Sequence, residues 1–269
     1  MTELPQQFIW NGQDFLTPGP GSNGEILVAD SWRVHDGEIW GLADHLDRFF
    51  AGITAQASRI RLVESICRGH IETALRRCVN DAVQQFPDTD LFPRISIERH
   101  GEQQRLVLLV RPAPAIRTTT SLWIPDYTDP RIRPTVKGPD IDLMRRLVAE
   151  APADDVVLHD GTNVIETTTG ALLVWQHNEL VCCQAAGQLA SISAQRIAKF
   201  AKSQHVTVTH RPVTIQQIAS GEYSVWFANT LHGISPVTTI DSATGERLLP
   251  AHPATAAWQQ DWWTRFARI

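Results

Sequence analysis

Lys137 is the residue of this chain whose setting best suits covalent chemistry. It stands alone in the segment Pro134-Thr-Val-Lys-Gly-Pro139, among apolar, glycine and proline residues and without an adjacent positive charge. A lysine that forms a Schiff base needs a lowered pKa, and an apolar setting provides one by penalising the charged ammonium group. The segment therefore indicates a Schiff-base lysine, and an exposed loop lysine is the alternative.

An anion-binding group is predicted at His45-Leu-Asp-Arg48, near the start of a predicted helix. The three-residue spacing places His45 and Arg48 on one face of that helix. The planar guanidinium group of Arg48 matches the geometry of a phosphate. Arg48 is therefore a candidate phosphate ligand, although an ordinary surface helix start would have the same pattern.

A carboxylate with a separate role is predicted at Glu166, which follows an apolar Val-Ile pair in the segment 160–170. A carboxylate next to a heterocyclic ring nitrogen keeps that nitrogen protonated. The hydroxyl groups of Thr167–Thr169 are candidate donors to a ring oxygen or a phosphate. A threonine-rich edge strand is the alternative, since threonine favours strands.

Two more segments are candidate anion sites. In the segment 189–196 a loop leads into a helix, and the free backbone N–H groups and dipole of a helix start attract anions. In the segment 229–237 a strand end is followed by a turn, where the Thr230 hydroxyl is a further candidate phosphate donor. Helix capping and turn formation would each explain these patterns equally well.

The elements that must position these residues form an α+β chain. Periodicity and turn residues predict strands at 8–10, 25–35, 94–98, 105–110, 122–124, 156–159, 171–175, 180–183, 206–210 and 223–228. They predict helices at 45–57, 63–85, 140–150, 193–204 and 253–269.

Turn and breaker residues complete this prediction. Asp36-Gly37 predicts a hairpin, residues 18–24 a loop, and Ser193 is expected to cap its helix. The proline-containing segment 111–117 predicts a break, with a small N-terminal domain at 1–112, a linker at 113–118 and a larger cofactor-binding domain at 119–269.

Composition excludes several classes of protein. The chain has 269 residues, 43% hydrophobic and 20% charged, with a net charge of -5 and scattered basic residues, so no nucleic-acid partner is expected. The four cysteines and ten histidines lack metal-site spacing, so free thiols and no metal are predicted. No apolar run approaches the ~20 residues that span a bilayer, and the N-terminus does not resemble a signal peptide. We therefore expect a cytoplasmic protein without a membrane partner.

Taken in order, the five chemistry-bearing segments resemble the class IV aminotransferases, the fold-type-IV pyridoxal-phosphate enzymes. That group includes branched-chain and D-amino-acid aminotransferases and 4-amino-4-deoxychorismate lyase. The resemblance extends from the Asn11-Gly12 turn to Val237. It implies two α/β domains with pyridoxal 5'-phosphate between them, a small substrate that carries an amino group, and a homodimer.

The resemblance also implies the role of each residue. Lys137 matches the family's aldimine (Schiff-base) lysine, and Glu166 matches the acid that pairs with the pyridine nitrogen. The remaining matches bind the phosphate: they are Arg48, Ile192, Ser193 and Thr230. The chain departs from the family pattern at Ser191, Ala194, Ala171 and Leu173, where Gly, Arg, Asn and Phe are usual.

The reaction is left open between two outcomes, with the lyase slightly ahead. Asn229-Thr230-Leu231 is more similar to the Asn-Ala/Ser-Leu pattern of the lyases than to the Gly-Thr-Ala of the branched-chain enzymes. Ser31, just before Arg33, lies where lyases tend to have a hydroxyl near the substrate, so both are candidate substrate ligands. The alternative is an amino-acid aminotransferase of class IV.

Two readings from other classes remain. The departures at Ser191, Ala194 and Ala171 would suit a pyridoxal-binding homologue with little catalysis. The nine tryptophans would suit an interaction protein. Three of these tryptophans have helical spacing near the C-terminus: Trp258, Trp262 and Trp263. That spacing favours a docking or dimer-interface face over a ligand site.

Overall fold

The computed structural model describes residues 3–17, 24–62 and 66–264. Two compact units are present. The first comprises Met1–Ala115 together with Val136–Ile141, and the second comprises Ile116–Thr135 and Asp142–Ile269. The segment that carries Lys137 therefore belongs to the first unit. The domain limits expected from the sequence, with a linker at 113–118, stay a prediction.

The first unit is an antiparallel sheet covered by two helices. Its elements are β1 (Gln6–Trp10), β2 (Phe15–Leu16), β3 (Glu25–Ser31), β4 (Val34–His35), β5 (Glu38–Ile39), α1 (Leu42–Ala55), α2 (Arg68–Gln85), β6 (Arg94–His100) and β7 (Gln103–Val110). Five strands form a sheet in the order β2-β1-β7-β6-β3, and β4 pairs with β5. α1 packs on β3. Its apolar stripe of Leu46, Phe49 and Ile53 is buried in the core of this unit.

Sequence patterns located most of these elements, but β2 was not predicted and α2 begins at Arg68 rather than at residue 63. The strand predicted over 25–35 is two strands, because the chain leaves the sheet after Ser31 and forms the β4–β5 hairpin around the positive-φ pair Asp36-Gly37. α1 begins at Leu42 rather than at residue 45, after a left-handed Gly41. The predicted loop at 18–24 and the start of the second predicted helix at 63–65 lie largely or wholly outside the described residues.

The second unit is built on a large mixed sheet. Its elements are β8 (Thr120–Trp123), α3 (Ile141–Glu150, which begins at the last residue of the first unit), β9 (Asp155–His159), β10 (Val164–Thr167), β11 (Ala171–Gln176), β12 (Glu179–Cys183), α4 (Ile192–Ser203), β13 (Thr207–Arg211), α5 (Ile215–Ala219), β14 (Ser224–Asn229), β15 (Gly233–Asp241), β16 (Arg247–Leu248) and α6 (Thr255–Trp262). Eight strands follow the order β10-β9-β8-β15-β14-β11-β12-β13, and β16 pairs with β15.

The sequence missed one of the central strands of this sheet. β15 joins β8 to β14, yet the segment was predicted as a strand end and a turn. Its Gly233, Pro236 and paired threonines obscure the alternation that identifies a strand. Only pairing on both sides forces this segment to be extended.

The tryptophan stripe near the C-terminus is a core feature. Trp258 and Trp262 are 7% and 5% exposed and pack with Trp175 and Trp226 in a hydrophobic cluster that also receives α4. Trp258 meets Trp175 and Trp226 in edge and tilted ring contacts. The predicted docking face is therefore wrong for Trp258 and Trp262, because they supply the packing between α6 and the sheet.

The described residues include four unbridged cysteines, of which Cys182 and Cys183 are buried. None of the helices in the described part of the chain combines the length and apolar character that crossing a membrane requires.

Candidate active site

A buried carboxylate organises the chemistry-bearing residues of the first unit. Asp30, near the end of β3, is fully buried and faces α1. Arg48 donates to both of its oxygens, from Nε at 2.7 Å and Nη2 at 2.8 Å. His45 Nδ1 lies 2.8 Å from Oδ1, and the Ser31 backbone N–H donates to the same oxygen. The helical spacing of His45 and Arg48 thus converges on an acid that sequence reasoning did not select.

The charges of this cluster balance. Burial by itself raises the pKa of Asp30, but the positive charge of Arg48 and the hydrogen bonds from Arg48 and His45 lower it far below its usual value. Burial lowers the pKa of His45, and the positive charges of Arg48 and Lys137 act in the same direction. Near neutral pH the cluster therefore holds an ionised Asp30, a positive Arg48 and a neutral His45.

The Lys137 segment lies against β3 beside this cluster. The Ala29 N–H donates to the Lys137 carbonyl at 2.8 Å. Gly138 has a φ of 136°, and a Cβ there would lie 2.7–2.8 Å from backbone atoms of Val28 and Ala29. Only glycine can supply both this conformation and this close approach. The Gly-Pro setting that marked Lys137 in the sequence therefore seats its backbone on the strand that carries Asp30.

The two predicted substrate residues lie on and just after β3. Ser31 is 7% exposed and follows Asp30 directly. Arg33 is 3% exposed, and its guanidinium donates twice to Asp90, at 2.7 and 3.0 Å, and once to the Pro114 carbonyl. A substrate role for Arg33 stays a prediction, and these bonds give it a structural task in fixing the segment before Ala115.

Glu166 lies on β10 of the second unit, and its carboxylate is held by a charged partner. Arg131 Nη1 donates to Oε1 at 2.6 Å, and the Leu189 N–H donates to the same oxygen at 2.9 Å. The side chains of Arg131 and Glu166 are each 7% exposed. Arg131 also pairs with Asp129 at 2.7 Å. The apolar Val-Ile pair before Glu166 reflects this burial, and its carboxylate is oriented rather than solvated.

The cap of α4 lies two residues before the one predicted from the sequence. The helix starts at Ile192, and the cap is Ser191, whose Oγ accepts from the Ala194 N–H at 3.2 Å. Ser193 was expected to cap the helix, but it is 3% exposed and lies within the first turn. A serine in place of the family's usual glycine thus has a capping role. The first N–H groups of a helix lack intrahelical partners, which suits an anion there.

Thr230 lies in a turn that Asn229 fixes between β14 and β15. Asn229 Oδ1 accepts from the N–H groups of Leu231 and His232 at 3.1 and 2.8 Å. Its Nδ2 donates to the Thr169 carbonyl at 3.3 Å. The asparagine therefore sets the backbone around Thr230.

The threonines after Glu166 have partners other than those predicted. Thr168 and Thr169 donate their hydroxyls to Asp155, and Thr167 donates to the Gly170 carbonyl at 3.0 Å. Asp155 is fully buried, and that burial raises the pKa of its carboxyl group. The predicted donation to a ring oxygen or phosphate is therefore wrong for Thr168 and Thr169, whose protons satisfy a buried acid.

Sequence reasoning missed Asp30 and Arg131, and both had a weak signal. Asp30 is a single acid among the apolar residues of a predicted strand, and Arg131 lies in a short run of prolines and charges before Lys137. A further signal is the scarcity of lysine. The sequence has three lysines, and Lys199 and Lys202 are exposed on α4, whereas Lys137 is half-buried.

Comparison with known proteins identifies the family. A sequence model of the amino-transferase class IV family matches residues 27–240. No curated protein sequence gives a significant match.

Solved structures support the same fold. The chain is similar to a fold IV transaminase from Curtobacterium pusillum, with a TM-score of 0.79, 16% identity, and 97% of this chain and 98% of that chain covered. A branched-chain aminotransferase from Thermoproteus uzoniensis gives 0.79 at 14% identity, covering 98% and 95%. An aminotransferase from Brucella abortus, bound to pyridoxal phosphate, gives 0.77 at 17% identity, covering 98% and 100%.

These matches confirm the family resemblance and the fold class predicted from the sequence. The family match covers most of the chain, and Lys137, Arg48, Asp30 and Glu166 lie within it. The chain therefore belongs to the class IV aminotransferase family, whose members are enzymes that use pyridoxal phosphate.

Proposed function

We propose that this enzyme is a 4-amino-4-deoxychorismate lyase in which Lys137 bonds the cofactor and moves the substrate's protons. One observation carries the central part of this proposal. Of the three lysines in the chain, Lys199 and Lys202 are exposed on α4, and only Lys137 is half-buried in a segment seated on a strand. A Schiff-base amine must be shielded from water to have a lowered pKa.

The donor set of the chain fits pyridoxal phosphate. The family resemblance assigns the phosphate to Arg48 in the first unit, and to the first-turn N–H groups of α4 at Ile192 and Ser193 and the Thr230 hydroxyl in the second unit. Each of these is a donor suited to a phosphate dianion. Glu166 is a buried, oriented carboxylate of the kind that pairs with a ring nitrogen. When bound, the cofactor supplies a protonated pyridine ring that withdraws electrons from the substrate carbon.

The chain's own residues then do the following work. The released amine of Lys137 takes a proton from the substrate and returns one at another atom. Arg48 can neutralise phosphate charge only in part, since Asp30 already accepts two of its hydrogen bonds. Glu166 keeps its partner nitrogen protonated because a carboxylate there favours the charged form of the ring.

The lyase reaction is favoured by the position of Ser31. Alternate residues of a strand face the same side, so Ser31 lies two positions along the face of β3 from Ala29, whose N–H bonds the Lys137 carbonyl. We infer that the Ser31 hydroxyl relays a proton to or from the Lys137 amine during elimination of pyruvate, a step that needs no amino acceptor. The Asn229-Thr230-Leu231 sequence points in the same direction.

An amino-acid aminotransferase is the second candidate. The solved structures similar in fold include one described as a branched-chain aminotransferase and one as a fold IV transaminase. In that reaction the Lys137 amine would take a proton from the substrate carbon and deliver it to the cofactor carbon bonded to the substrate nitrogen. The substrate would then be released as a keto acid.

One assay separates these candidates. The holoenzyme is incubated with aminodeoxychorismate alone, and separately with L- and D-amino acids plus 2-oxoglutarate. Pyruvate and 4-aminobenzoate formed without an acceptor would support the lyase. Keto acid that forms only with an acceptor would refute it in favour of the aminotransferase. Cofactor binding without either product would support the third reading, a pyridoxal-binding homologue with little catalysis.

The lysine assignment is tested by borohydride reduction of the holoenzyme followed by peptide mapping. The mass of the reduced cofactor is expected on Lys137 and on no other lysine. Lys199→Ala, an exposed lysine on α4, is the matched control and should retain the label, whereas Lys137→Ala should lose it. Label on Lys199 or Lys202 in the wild-type chain would overturn the assignment.

We further propose a cytoplasmic homodimer with a place in folate biosynthesis. The place in folate biosynthesis follows from the lyase product, 4-aminobenzoate. Light scattering of the purified chain tests the dimer, and a monomeric mass at micromolar concentration would contradict it.

A further inference from the structure

We propose that Arg131 is a positioning residue that keeps the Glu166 carboxylate ionised and aimed, because it stands between Glu166 and a second buried acid, Asp129. This inference rests on the proposed pairing of Glu166 with the pyridine nitrogen. It adds a residue that neither the sequence motifs nor the family match singled out.

The contacts of Arg131 divide its guanidinium between the two acids. Nε lies 3.0 Å from both oxygens of Asp129, and Nη2 lies 2.7 Å from Asp129 Oδ2. Nη1 donates to Glu166 Oε1 at 2.6 Å. The side chains of Arg131, Asp129 and Glu166 are 7%, 10% and 7% exposed. One buried positive charge therefore serves two buried negative charges.

Arg131 also fixes the surroundings of Glu166. Its Nη1 and Nη2 approach the carbonyls of Pro134 and Gly187 at 3.4 and 3.5 Å. Two residues beyond Gly187, the Leu189 N–H donates to the same Glu166 oxygen that accepts from Arg131. Because both donors meet Oε1, the rotation of the carboxylate is set from one side.

Removal of the guanidinium would change the protonation of the acids. Two buried carboxylates without a cation repel each other, and burial penalises both charges, so the pair takes up a proton. A protonated Glu166 no longer favours the charged pyridine ring, and the electron-withdrawing capacity of the ring falls. The effect requires Asp129, because Glu166 alone would still have the ring as its ionic partner.

Arg131 itself stays charged in this setting. Burial alone lowers its pKa, but the hydrogen bonds and charges of Asp129 and Glu166 outweigh burial and raise it. Its role is therefore to hold a fixed positive charge and not to exchange a proton.

The test compares Arg131→Met, Asp129→Asn/Arg131→Met and Glu166→Gln with wild type, each measured twice. Infrared spectra of the apoprotein between pH 6 and 9 report protonated carboxyl groups. The pH dependence of visible absorption in the holoenzyme reports the state of the bound cofactor. Arg145→Met, which removes an exposed pairing with Asp142 in the same unit, is the matched control.

In Arg131→Met we expect a protonated carboxyl band that wild type lacks, and an absorption change of the same sign as in Glu166→Gln. We expect kcat to fall about 10- to 100-fold, the range for partners that orient a ligand, with KM changed less. Asp129→Asn/Arg131→Met should recover part of the absorption and rate of the holoenzyme, because Glu166 then has the ring as its ionic partner. If Arg131→Met does not fold, Arg131→Lys should give the same changes at smaller size.

Two failures are distinguishable. If Glu166→Gln shifts the absorption but Arg131→Met behaves like Arg145→Met in both measurements, the role of Arg131 is overturned and that of Glu166 stands. If Glu166→Gln leaves the absorption unchanged, the pairing of Glu166 with the ring is refuted, and this inference falls with it.

Discussion

Replacement of Asp30 by asparagine tests the buried cluster of the first unit. The change removes the negative charge while keeping the shape, and it leaves Arg48, 15% exposed, beside a neutral amide. Because His45 is neutral, the cluster changes from no net charge to one positive charge. Loss of one partner of a buried ion pair costs about 3–5 kcal/mol. The partial exposure of Arg48 favours the lower end, about 3 kcal/mol, or two powers of ten in the unfolding equilibrium.

The pH dependence provides a second, independent signature. The folded-state pKa of Asp30 is depressed, so its contribution is full above the unfolded value of about 3.9 and is lost as pH falls below that value. The difference in unfolding free energy between wild type and Asp30→Asn should therefore be constant from pH 7 to 5. It should shrink by about 1.3 kcal/mol by pH 3.

Urea unfolding monitored by tryptophan fluorescence measures both quantities. Asp142→Asn is the matched control, since Asp142 belongs to an exposed pair with Arg145 and should change stability by less than about 1 kcal/mol. If Asp30→Asn also costs less than about 1 kcal/mol at pH 7, or if the difference does not shrink in acid, the cluster does not carry the charge balance described above.

Two further predictions concern the Lys137 segment and the thiols. Gly138→Ala should cost about 1–3 kcal/mol of unfolding free energy and weaken cofactor retention, since its Cβ meets the β3 backbone at a positive φ. Gly69→Ala, in open space in α2, should instead stabilise the protein by about 0.5–1 kcal/mol. Equal urea midpoints for the two variants would contradict this prediction. Ellman's reagent at pH 8 should label the exposed Cys67 rapidly, and Cys182 and Cys183 only after unfolding. Burial raises the pKa of Cys182 to about 11 and that of Cys183 to about 12, which keeps both thiols protonated. Rapid labelling of more than two thiols in the native chain would contradict this prediction.

Local sequence determined much of the secondary structure, because the signals are local. The stripe of Leu46, Phe49 and Ile53 repeats at helical spacing and is buried on α1. Asp36-Gly37 supports positive φ and closes the β4–β5 hairpin. Where strand boundaries were misplaced, as after Ser31, the reason is that the end of sheet pairing leaves no mark in the residue pattern.

The chemistry-bearing residues divide in the same way. The types and order of Lys137, Arg48 and Glu166 are properties of the sequence, and they were enough to indicate the family and its cofactor. The sequence did not indicate their partners, Asp30 and Arg131. Asp30 contacts Arg48, 18 positions away, and Arg131 contacts Glu166, 35 positions away. No periodicity encodes such a contact.

Lys137 itself was marked by its sequence and placed by the tertiary structure. An apolar segment with glycine and proline next to a lone lysine singled it out. The fold decided that its backbone lies on β3 and that the strand beneath it carries a buried, charge-balanced acid. The physical reason is that burial and Coulomb interaction depend on distance in space, which the chain order of charged residues does not fix.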